Sequence, residues 1–436
     1  MRSQFSTTTL HRGLRYATLT LMLLAALTHL AQAQTYSVIY NFTGGQDGAT
    51  PLAGVSLDRA GNLYGTTSGG GFTGGRCSGP GLHGCGTVYD LKHTNSTWLF
   101  NPLYTFQGQY SDGAAPHDRV VFGPNGSLYG TTAFGGPADE DCAGLGCGTV
   151  FNLRPSAVAC KTALCPWTEN VLFFFNASLG QGGNPLYGDV VFDPAGNIYG
   201  TLFDRIPSFG MVFGLIPSNG NWSLDYVYPF PADGNEGDSP TSSVIFDPAG
   251  DLYGTTSRGG PPGGYTGGYG IIYELTPSGS GWAEQILYLF QNGSDGAYAE
   301  GGAIRDQAGN LYGTTQEGGA GGGGTVWELS PSGGGWTLTT LYSFTGALGS
   351  FASLTMDAAG NLYGTTNLDG AHGQGNVFRL TNSGGNWSYT SLHDFTGGSD
   401  GGKPYGQVTL DANGNIYGTA ANGGATGNGV VWKITP

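Results

Sequence analysis

Titratable side chains that could perform acid–base chemistry are few in this sequence, and five of them stand just before short apolar segments. They are His117, Asp118, Arg119, Asp189 and Glu300. A histidine between carboxylates can act as a general base, so these residues are the candidate site. They can also form ion pairs that only line an opening. The sequence favours that interpretation, because the remaining histidines are scattered along the chain.

Asp-Gly steps form a second candidate group, and they recur at Asp47, Asp112, Asp295 and Asp400. Calcium takes several oxygen ligands, so aspartates gathered on one rim could bind it. Asp followed by Gly is also a turn signal, and no segment matches a calcium-binding loop closely. We therefore predict turns and no cofactor, with calcium as the alternative.

Recognisable catalytic motifs are absent from the sequence. There is no Gly-x-Ser-x-Gly elbow, no His-Glu-x-x-His helix and no phosphate-binding glycine loop. The leading hypothesis is therefore a binding or interaction scaffold for a glycan or a protein. The alternatives are a lyase or hydrolase, with or without a metal, and a purely structural module of the cell envelope.

The cysteines fall into three close pairs. They are Cys77 with Cys85, Cys142 with Cys147, and Cys160 with Cys165. An even number of cysteines in an exported chain favours disulfides, and we predict pairing within each close pair. A zinc site is the alternative, but the paired Cys-x-x-Cys spacing and a histidine cluster are both missing.

Residues 1–33 are predicted to be a signal peptide. Three arginines (Arg2, Arg12 and Arg15) precede an apolar run at 19–30, and small residues follow at 31–33. Cleavage near Gln34 would give a secreted or periplasmic protein. A buried helix or an uncleaved anchor is the alternative. The rest of the chain has no apolar stretch long enough for a membrane span.

The charge balance is acidic, with a formal net charge of −15 that becomes −18 without the three arginines of the signal peptide. An acidic surface repels phosphate backbones, so nucleic acid is not expected as a partner. A monomer is expected, and a glycan or protein remains as the ligand class.

An internal repeat determines the predicted architecture. A core resembling Gly-Asn-Leu-Tyr-Gly-Thr occurs seven times, 51 to 70 residues apart. Its tyrosines are Tyr64, Tyr129, Tyr199, Tyr253, Tyr312, Tyr363 and Tyr417. This spacing suits a four-stranded blade with variable loops. We predict an all-β, seven-bladed β-propeller that forms one domain over residues 34–436.

Each repeat is predicted to supply strands A to D. Strand A ends at an aspartate and a tight turn, and strand B is Leu-Tyr-Gly-Thr-Thr, as at 63–67. The strand B glycine is expected to leave room for an aromatic ring from the next blade. The long loops share one rim, and the residues that begin strand A line the channel mouth. The five acid–base candidates therefore come to that mouth.

The chain ends indicate how the ring closes. The last repeat stops after its strand C, at 430–434, whereas residues 39–44 match the strand D pattern. We predict that this amino-terminal strand completes the last blade, which removes exposed sheet edges.

Residues 247–256 read DPAGDLYGTT and residues 324–329 read GTVWEL. These segments resemble the bacterial tandem repeats called GloVer-repeat or choice-of-anchor proteins, over essentially all of residues 34–436. A weaker similarity is to NHL-type propellers. The resemblance implies a bacterial exported protein, and it brings no catalytic residues with it. Because the chain ends within a blade, release or periplasmic residence is expected rather than a surface anchor.

Overall fold

The computed structural model describes residues 34–79, 82–94, 97–155, 167–203, 209–231, 236–260, 268–279 and 281–436. The predicted signal peptide and the Cys160–Cys165 pair lie outside these residues. No helix in the described part of the chain is long and apolar enough to cross a membrane.

Seven antiparallel four-stranded sheets form the blades, each in the order A-B-C-D. The A strands are Ser56–Leu57, Val121–Phe122, Val191–Phe192, Ile245–Phe246, Ile304–Arg305, Thr355–Met356 and Thr409–Leu410. The B strands are Leu63–Thr67, Leu128–Thr132, Ile198–Leu202, Leu252–Thr255, Leu311–Thr314, Leu362–Thr366 and Ile416–Ala420. The C strands are Thr87–Thr94, Thr149–Arg154, Met211–Ser218, Ile271–Ser278, Thr325–Ser332, Asn376–Ser383 and Val430–Thr435.

The D strands of blades 1 to 6 are Thr97–Thr105, Thr168–Phe174, Asn221–Pro229, Gly281–Leu289, Gly335–Ser343 and Asn386–Asp394, and Thr35–Asn41 is the D strand of blade 7. Among the described residues, three short 3-10 helices lie in the loops, Gly75–Ser78, Glu140–Cys142 and Ala177–Leu179. The seven-bladed β-propeller predicted from the repeat is confirmed.

The amino-terminal strand closes the ring as predicted. Thr35 pairs with Thr435, and the ladder continues to Asn41 opposite Val430. Beyond the strand, the Phe42 N–H donates to the Gly429 carbonyl at 3.1 Å. The last blade is therefore built from both ends of the described chain.

Strands B and C form the packed interior of each blade. Leu63–Thr67 is buried along its whole length, and the first five residues of Thr87–Thr94 are buried too. Strand D alternates between exposed and half-buried residues in its first part, as in Gly335–Ser343. Apolar residues on both faces of B and C are thus explained by neighbouring blades that cover both sides.

The strand B glycines make room for an aromatic ring, but the expected source of that ring was wrong. The ring comes from strand C of the same blade, because the two residues face each other in the B–C ladder. Gly65 is paired with Tyr89, and a Cβ at Gly65 would lie 2.4 Å from the Tyr89 hydroxyl. Gly313 faces Trp327 in the same way.

The A-to-B turn is held by the aspartate that ends strand A. Asp58 accepts hydrogen bonds from the Ala60 and Asn62 N–H groups at 2.8 and 2.9 Å. The Tyr64 hydroxyl donates to the other carboxylate oxygen at 3.2 Å. In blade 2, where Gly123 replaces the aspartate, Asn125 accepts from the Ser127 N–H instead. These turns fix the end of strand A.

The loops on the opposite rim are joined to one another. Gly113–Ala114 pairs with Phe134–Gly135, and Gly237–Asp238 pairs with Arg258–Gly259. In both cases the loop before strand A meets the loop after strand B of the same blade. The prediction that these two kinds of loop share a rim is confirmed.

Candidate functional site

A depression with a cavity volume of about 30 Å³ opens where the A strands begin. Six of the seven blades contribute to its lining. The side chains that matter below are His117, Asp118, Arg119, Tyr187, Asp189, Ser243, Phe351, Tyr405 and Gln407. The structure therefore brings together four of the five acid–base candidates, although 70 residues separate Arg119 from Asp189. We call this depression the channel mouth.

Four ring-bearing side chains form the wall of the channel mouth. His117 and Tyr187 are stacked, with centroids 5.4 Å apart and planes 28° apart. Phe351 and Tyr405 are in contact, with centroids 5.1 Å apart. The channel mouth thus presents aromatic faces and edges, which bind apolar C–H surfaces while the tyrosine hydroxyls remain available for polar contacts.

An ion pair in the lining of the channel mouth joins blades 2 and 3. Arg119 Nη2 lies 2.6 Å from Asp189 Oδ2, and Arg119 Nε donates to the same oxygen at 2.9 Å. The Arg119 backbone N–H donates to Asp189 Oδ1 at 3.0 Å. Gln407 Oε1 accepts from Arg119 Nη2 at 2.9 Å. Arg119 and Asp189 thus form an ion pair that lines the channel mouth.

Asp118 is 3% exposed and lines the same opening. Its Oδ2 atom accepts a hydrogen bond from the Thr131 hydroxyl, while Oδ1 is buried without a hydrogen-bond partner. Burial raises the pKa of Asp118 well above its ordinary value, and the negative charge of Asp189 adds to this. Burial therefore favours the neutral form of this carboxyl group over the carboxylate.

His117 also carries an unused polar atom, because its Nδ1 is buried without a partner. Burial disfavours the imidazolium form and lowers the pKa of His117 to about 4. The ring is therefore neutral at physiological pH, and it can donate or accept one hydrogen bond at each nitrogen depending on its tautomer.

Glu300 lies beside the channel mouth rather than in its lining. The Thr241 hydroxyl donates to Glu300 Oε2 at 2.9 Å. Burial raises the pKa of Glu300, whereas the hydrogen bond from Thr241 and the charge of Arg258 lower it. Glu300 contributes to the burial-dominated rise in the pKa of Tyr187 to about 12. It therefore acts on the channel mouth through the electrostatic field.

Sequence reasoning missed four side chains of the channel mouth, Tyr187, Phe351, Tyr405 and Gln407, and Tyr187 shows why. Blade 3 has one residue more than blade 2 before its strand A: six steps lead from Asn184 to Val190, but five lead from Ala115 to Val120. Asn184 and Ala115 have φ values of 54° and 52°, and blade 3 adds a second left-handed residue, Tyr187, at 60°. Left-handed backbone is rare for a bulky residue and concentrates at functional sites.

The Asp-Gly aspartates do not come together at one site. Asp112 accepts from the Gln107 and Gly113 N–H groups at 2.6 and 2.7 Å. Asp295 accepts from the Gln291 N–H at 2.7 Å. The remaining two follow the same pattern: the Thr43 N–H donates to Asp47 at 2.8 Å and the Thr396 N–H donates to Asp400 at 3.0 Å. These contacts are those of turn residues.

Two of the three predicted disulfides are present, Cys77–Cys85 and Cys142–Cys147. Asp139 is close to the second one, and these three residues are the one group of potential metal ligands found in the described ranges. Because both thiols are consumed by the disulfide, the group has lost its sulfur ligands.

Both disulfides support the segments that lead to the channel mouth. The Cys85 carbonyl accepts from the Ala115 N–H at 2.9 Å, and the Cys147 carbonyl accepts from the Asn184 N–H at 2.8 Å. Ala115 and Asn184 begin the segments that carry His117 and Tyr187. The two disulfides therefore support the segments of blades 2 and 3 that carry His117 and Tyr187.

The family model of the Gloeobacter/Verrucomicrobia repeat matches residues 26–266 and 262–436. The chain belongs to this family. The resemblance of the segments at 247–256 and 324–329 to bacterial tandem repeats is thereby confirmed. A comparison with curated proteins finds no match.

Among solved structures, this Gloeobacter/Verrucomicrobia repeat protein is similar to an oxidoreductase named as a glucose dehydrogenase from Thermus thermophilus. The two share 16% identity over 72% of this chain and 95% of the other, with a TM-score of 0.41. A gluconolactonase from Xanthomonas campestris has 14% identity, 72% and 91% coverage and a TM-score of 0.37. A Dyadobacter fermentans protein of unknown function has 11% identity, 92% and 98% coverage and a TM-score of 0.44. Likeness at this level says nothing about activity.

Proposed function

We propose that this repeat protein is a binding protein that takes an uncharged, polyhydroxylated ligand, such as a sugar residue of a glycan, at the channel mouth. One observation carries the proposal. Aromatic rings from four blades line the same depression as the Arg119–Asp189 ion pair, whose opposite charges balance each other. The chemistry of sugars matches such a site, since their C–H faces pack on rings and their hydroxyl groups need fixed hydrogen-bonding partners.

The charge balance favours a neutral ligand over an ionic one. The positive charge of Arg119 is compensated by Asp189 at 2.6 Å. His117 is kept neutral by burial, and burial also opposes ionisation of Asp118. An ionic ligand would lose its hydration without meeting a free opposite charge.

The compartment follows from the cysteines. Disulfides persist in oxidising environments, and Cys77–Cys85 and Cys142–Cys147 are both formed. We propose that the protein works outside the cytoplasm, in the periplasm or after secretion, as a monomer whose ring is closed by its own amino-terminal strand.

The test is a glycan array probed with the purified chain, followed by calorimetric titration of the best ligand. Tyr187→Ala and Tyr405→Ala are expected to weaken binding by at least about tenfold, because each removes a ring from the wall. Tyr226→Ala is the matched control, since Tyr226 is 47% exposed on strand D of blade 3, away from the channel mouth. Binding that survives both channel-mouth substitutions would refute the assignment.

A propeller enzyme remains the second candidate, and the unpartnered Nδ1 of His117 favours it. A neutral imidazole beside an acidic proton donor is suited to general acid–base catalysis. A hydrolase and lyase screen tests this alternative, with metal analysis of the purified protein alongside it. Turnover abolished by His117→Asn would replace the binding proposal with an enzymatic one.

A further inference from the structure

Asp118 occupies a position at which the other six blades carry small residues. The equivalent residues are Ala53, Gly188, Ser242, Gly301, Ala352 and Gly406. Space is short there, because a Cβ at Gly406 would lie 2.2 Å from the Gly54 nitrogen and one at Gly301 would lie 2.4 Å from the Ala352 carbonyl oxygen. The other six blades therefore keep the side chain at this position small, and the carboxyl group of Asp118 departs from that pattern.

The same position takes part in a hydrogen bond that recurs between neighbouring blades. In six blades the first threonine of strand B donates to the backbone carbonyl of this position in the next blade. The six pairs are Thr66 with Asp118, Thr201 with Ser242, Thr255 with Gly301, Thr314 with Ala352, Thr365 with Gly406, and Thr419 with Ala53, at 2.7–3.2 Å.

Blade 2 is the exception to this pattern. Its threonine, Thr131, bonds to the Asp118 carboxyl group of its own blade, and the next blade is the one whose extra residue leads to Tyr187. The boundary between blades 2 and 3 thus lacks the threonine-to-carbonyl hydrogen bond of the other six boundaries. Thr131 instead holds the Asp118 side chain, which lines the channel mouth. Packing alone does not require this exchange, since six boundaries manage without it.

In the part of the chain that the structure describes, no free cation lies beside the Asp118 carboxyl group to hold it as an anion. Arg119, the next residue in the chain, is engaged by Asp189 at 2.6 Å and by Gln407 at 2.9 Å. Asp189 faces Asp118 from blade 3 with a negative charge. The other titratable groups around it are His117, Tyr187 and Tyr405 in the lining and Glu300 beside the channel mouth. Burial has the largest effect on the pKa of Asp118 and opposes the anion, as does Asp189, whereas the Thr131 hydroxyl and the Gly188 backbone favour it.

We propose that Asp118 binds the ligand as a neutral carboxylic acid, donating a hydrogen bond from Oδ1 to an acceptor oxygen of the sugar. This rests on the proposed function. Oδ2 is occupied by Thr131, whereas Oδ1 is buried, unpartnered and part of a residue that lines the channel mouth. A buried donor without an acceptor is costly in the free protein, and a ligand oxygen removes that cost.

The sign of the pH dependence follows from the donor role. Below the raised pKa of Asp118 the proton is present and the hydrogen bond forms. Above it the carboxylate repels the acceptor oxygen, so affinity falls as pH rises. An anionic Asp118 that accepted from sugar hydroxyls, or held a cation, would give the opposite slope.

The experiment is calorimetric titration of the full chain with the sugar found on the array, between about pH 5 and about pH 9. The wild type is expected to lose about tenfold or more in affinity over this range. Asp118→Asn keeps an N–H donor and cannot titrate, so its affinity should stay within about threefold of the acidic wild-type value at every pH. Asp118→Ala should bind weakly throughout.

The opposing outcomes are distinct from one another. A wild-type affinity that rises with pH, together with loss of binding in Asp118→Asn, would show an anionic role. Full affinity in both variants would show that Asp118 does not touch the ligand. A wild type that binds no sugar at any pH defeats the proposed function itself. If Asp118→Asn does not fold, the infrared C=O band of the wild-type carboxylic acid decides, since it must shift when the sugar is added.

Discussion

The imidazole ring of His393 lies flat on the phenol ring of Tyr36, with centroids 3.6 Å apart and planes 6° apart. His393 belongs to the D strand of blade 6, and Tyr36 to the strand that completes blade 7. The Tyr36 hydroxyl also donates to the Asp400 carbonyl, and Asp400 contacts His393 Nε2 at 3.2 Å. The amino-terminal strand is therefore fixed to two blades, by its ladder and by these side chains.

Replacing Tyr36 should loosen the closure of the ring. Tyr36→Ala removes the stacked ring and the hydroxyl together, and we expect the free energy of unfolding to fall by about 3 kcal/mol. Tyr36→Phe removes the hydroxyl alone and should cost about 1 kcal/mol. Urea denaturation of the three proteins measures both differences. Equal stability of Tyr36→Ala and the wild type would show that the strand contributes through its backbone only.

The repeat pattern predicted the ring because each blade carries the same local signals. The strand D pattern at 39–44 and the missing strand after 430–434 were enough to predict closure, which the Thr35–Thr435 pairing confirms. The ring partner of Gly65 was assigned to the wrong blade, because a pattern shows that space is needed but not which neighbour fills it. The ladder register, which places Tyr89 opposite Gly65, decides that.

The residues of the channel mouth were predictable in part, because the blades that line it contribute the same part of their repeats. Residues that begin strand A must face the centre, so Arg119 and Asp189 could be placed there. Tyr187 could not, because its position depends on a single extra residue and a left-handed backbone conformation. The exchange at Asp118 was equally hidden, since it is visible only when the threonine contacts of all seven blades are compared.

The glycines of strand B should not tolerate a side chain. A Cβ at Gly313 would lie 2.3 Å from Cζ2 of Trp327, whose side chain is fully buried. Gly313→Ala is expected to lower the free energy of unfolding by about 2–3 kcal/mol, because the indole ring must move within a packed blade. Gly281→Ala is the control, since no atom lies within 4 Å of its Cβ position. Chemical denaturation of both variants distinguishes crowding from a general effect of losing glycine.

Glu169 should make stability depend on pH. Its Oε1 is buried without a partner, and burial together with the charge of Asp112 raises its pKa to about 8. The unfolded chain ionises near pH 4.5, so Glu169 costs stability increasingly as pH rises from about 4.5 to about 8.

Glu169→Gln removes this titration. Because Glu169 is only partly buried, we expect the variant to exceed the wild type by about 2 kcal/mol at pH 8, with a smaller difference at pH 5. Glu140→Gln, at an exposed glutamate, should show no such change between the two pH values. A gain for Glu169→Gln that is the same at both pH values would mean that ionisation of Glu169 is not its cause.

The Cys142–Cys147 disulfide should hold the segment that presents Tyr187. Cys147 is fully buried, its carbonyl accepts from the Asn184 N–H, and its Cβ would be 2.7 Å from a Cβ at Gly183. Replacing both cysteines by alanine should cost about 2 kcal/mol, because a five-residue loop is released.

The local effect of that double replacement distinguishes support of the channel mouth from simple loss of stability. Hydrogen exchange should accelerate at 184–189 and remain unchanged at 115–119, because the Ala115 N–H is held by the Cys85 carbonyl of the other bridge. Replacing Cys77 and Cys85 should produce the reverse pattern. Equal acceleration of both segments in both variants would show that the bridges stabilise the ring as a whole. Segment-specific acceleration would instead mean that each bridge positions its own part of the channel mouth, so sugar affinity should then fall in each double variant even at temperatures where the fold is intact.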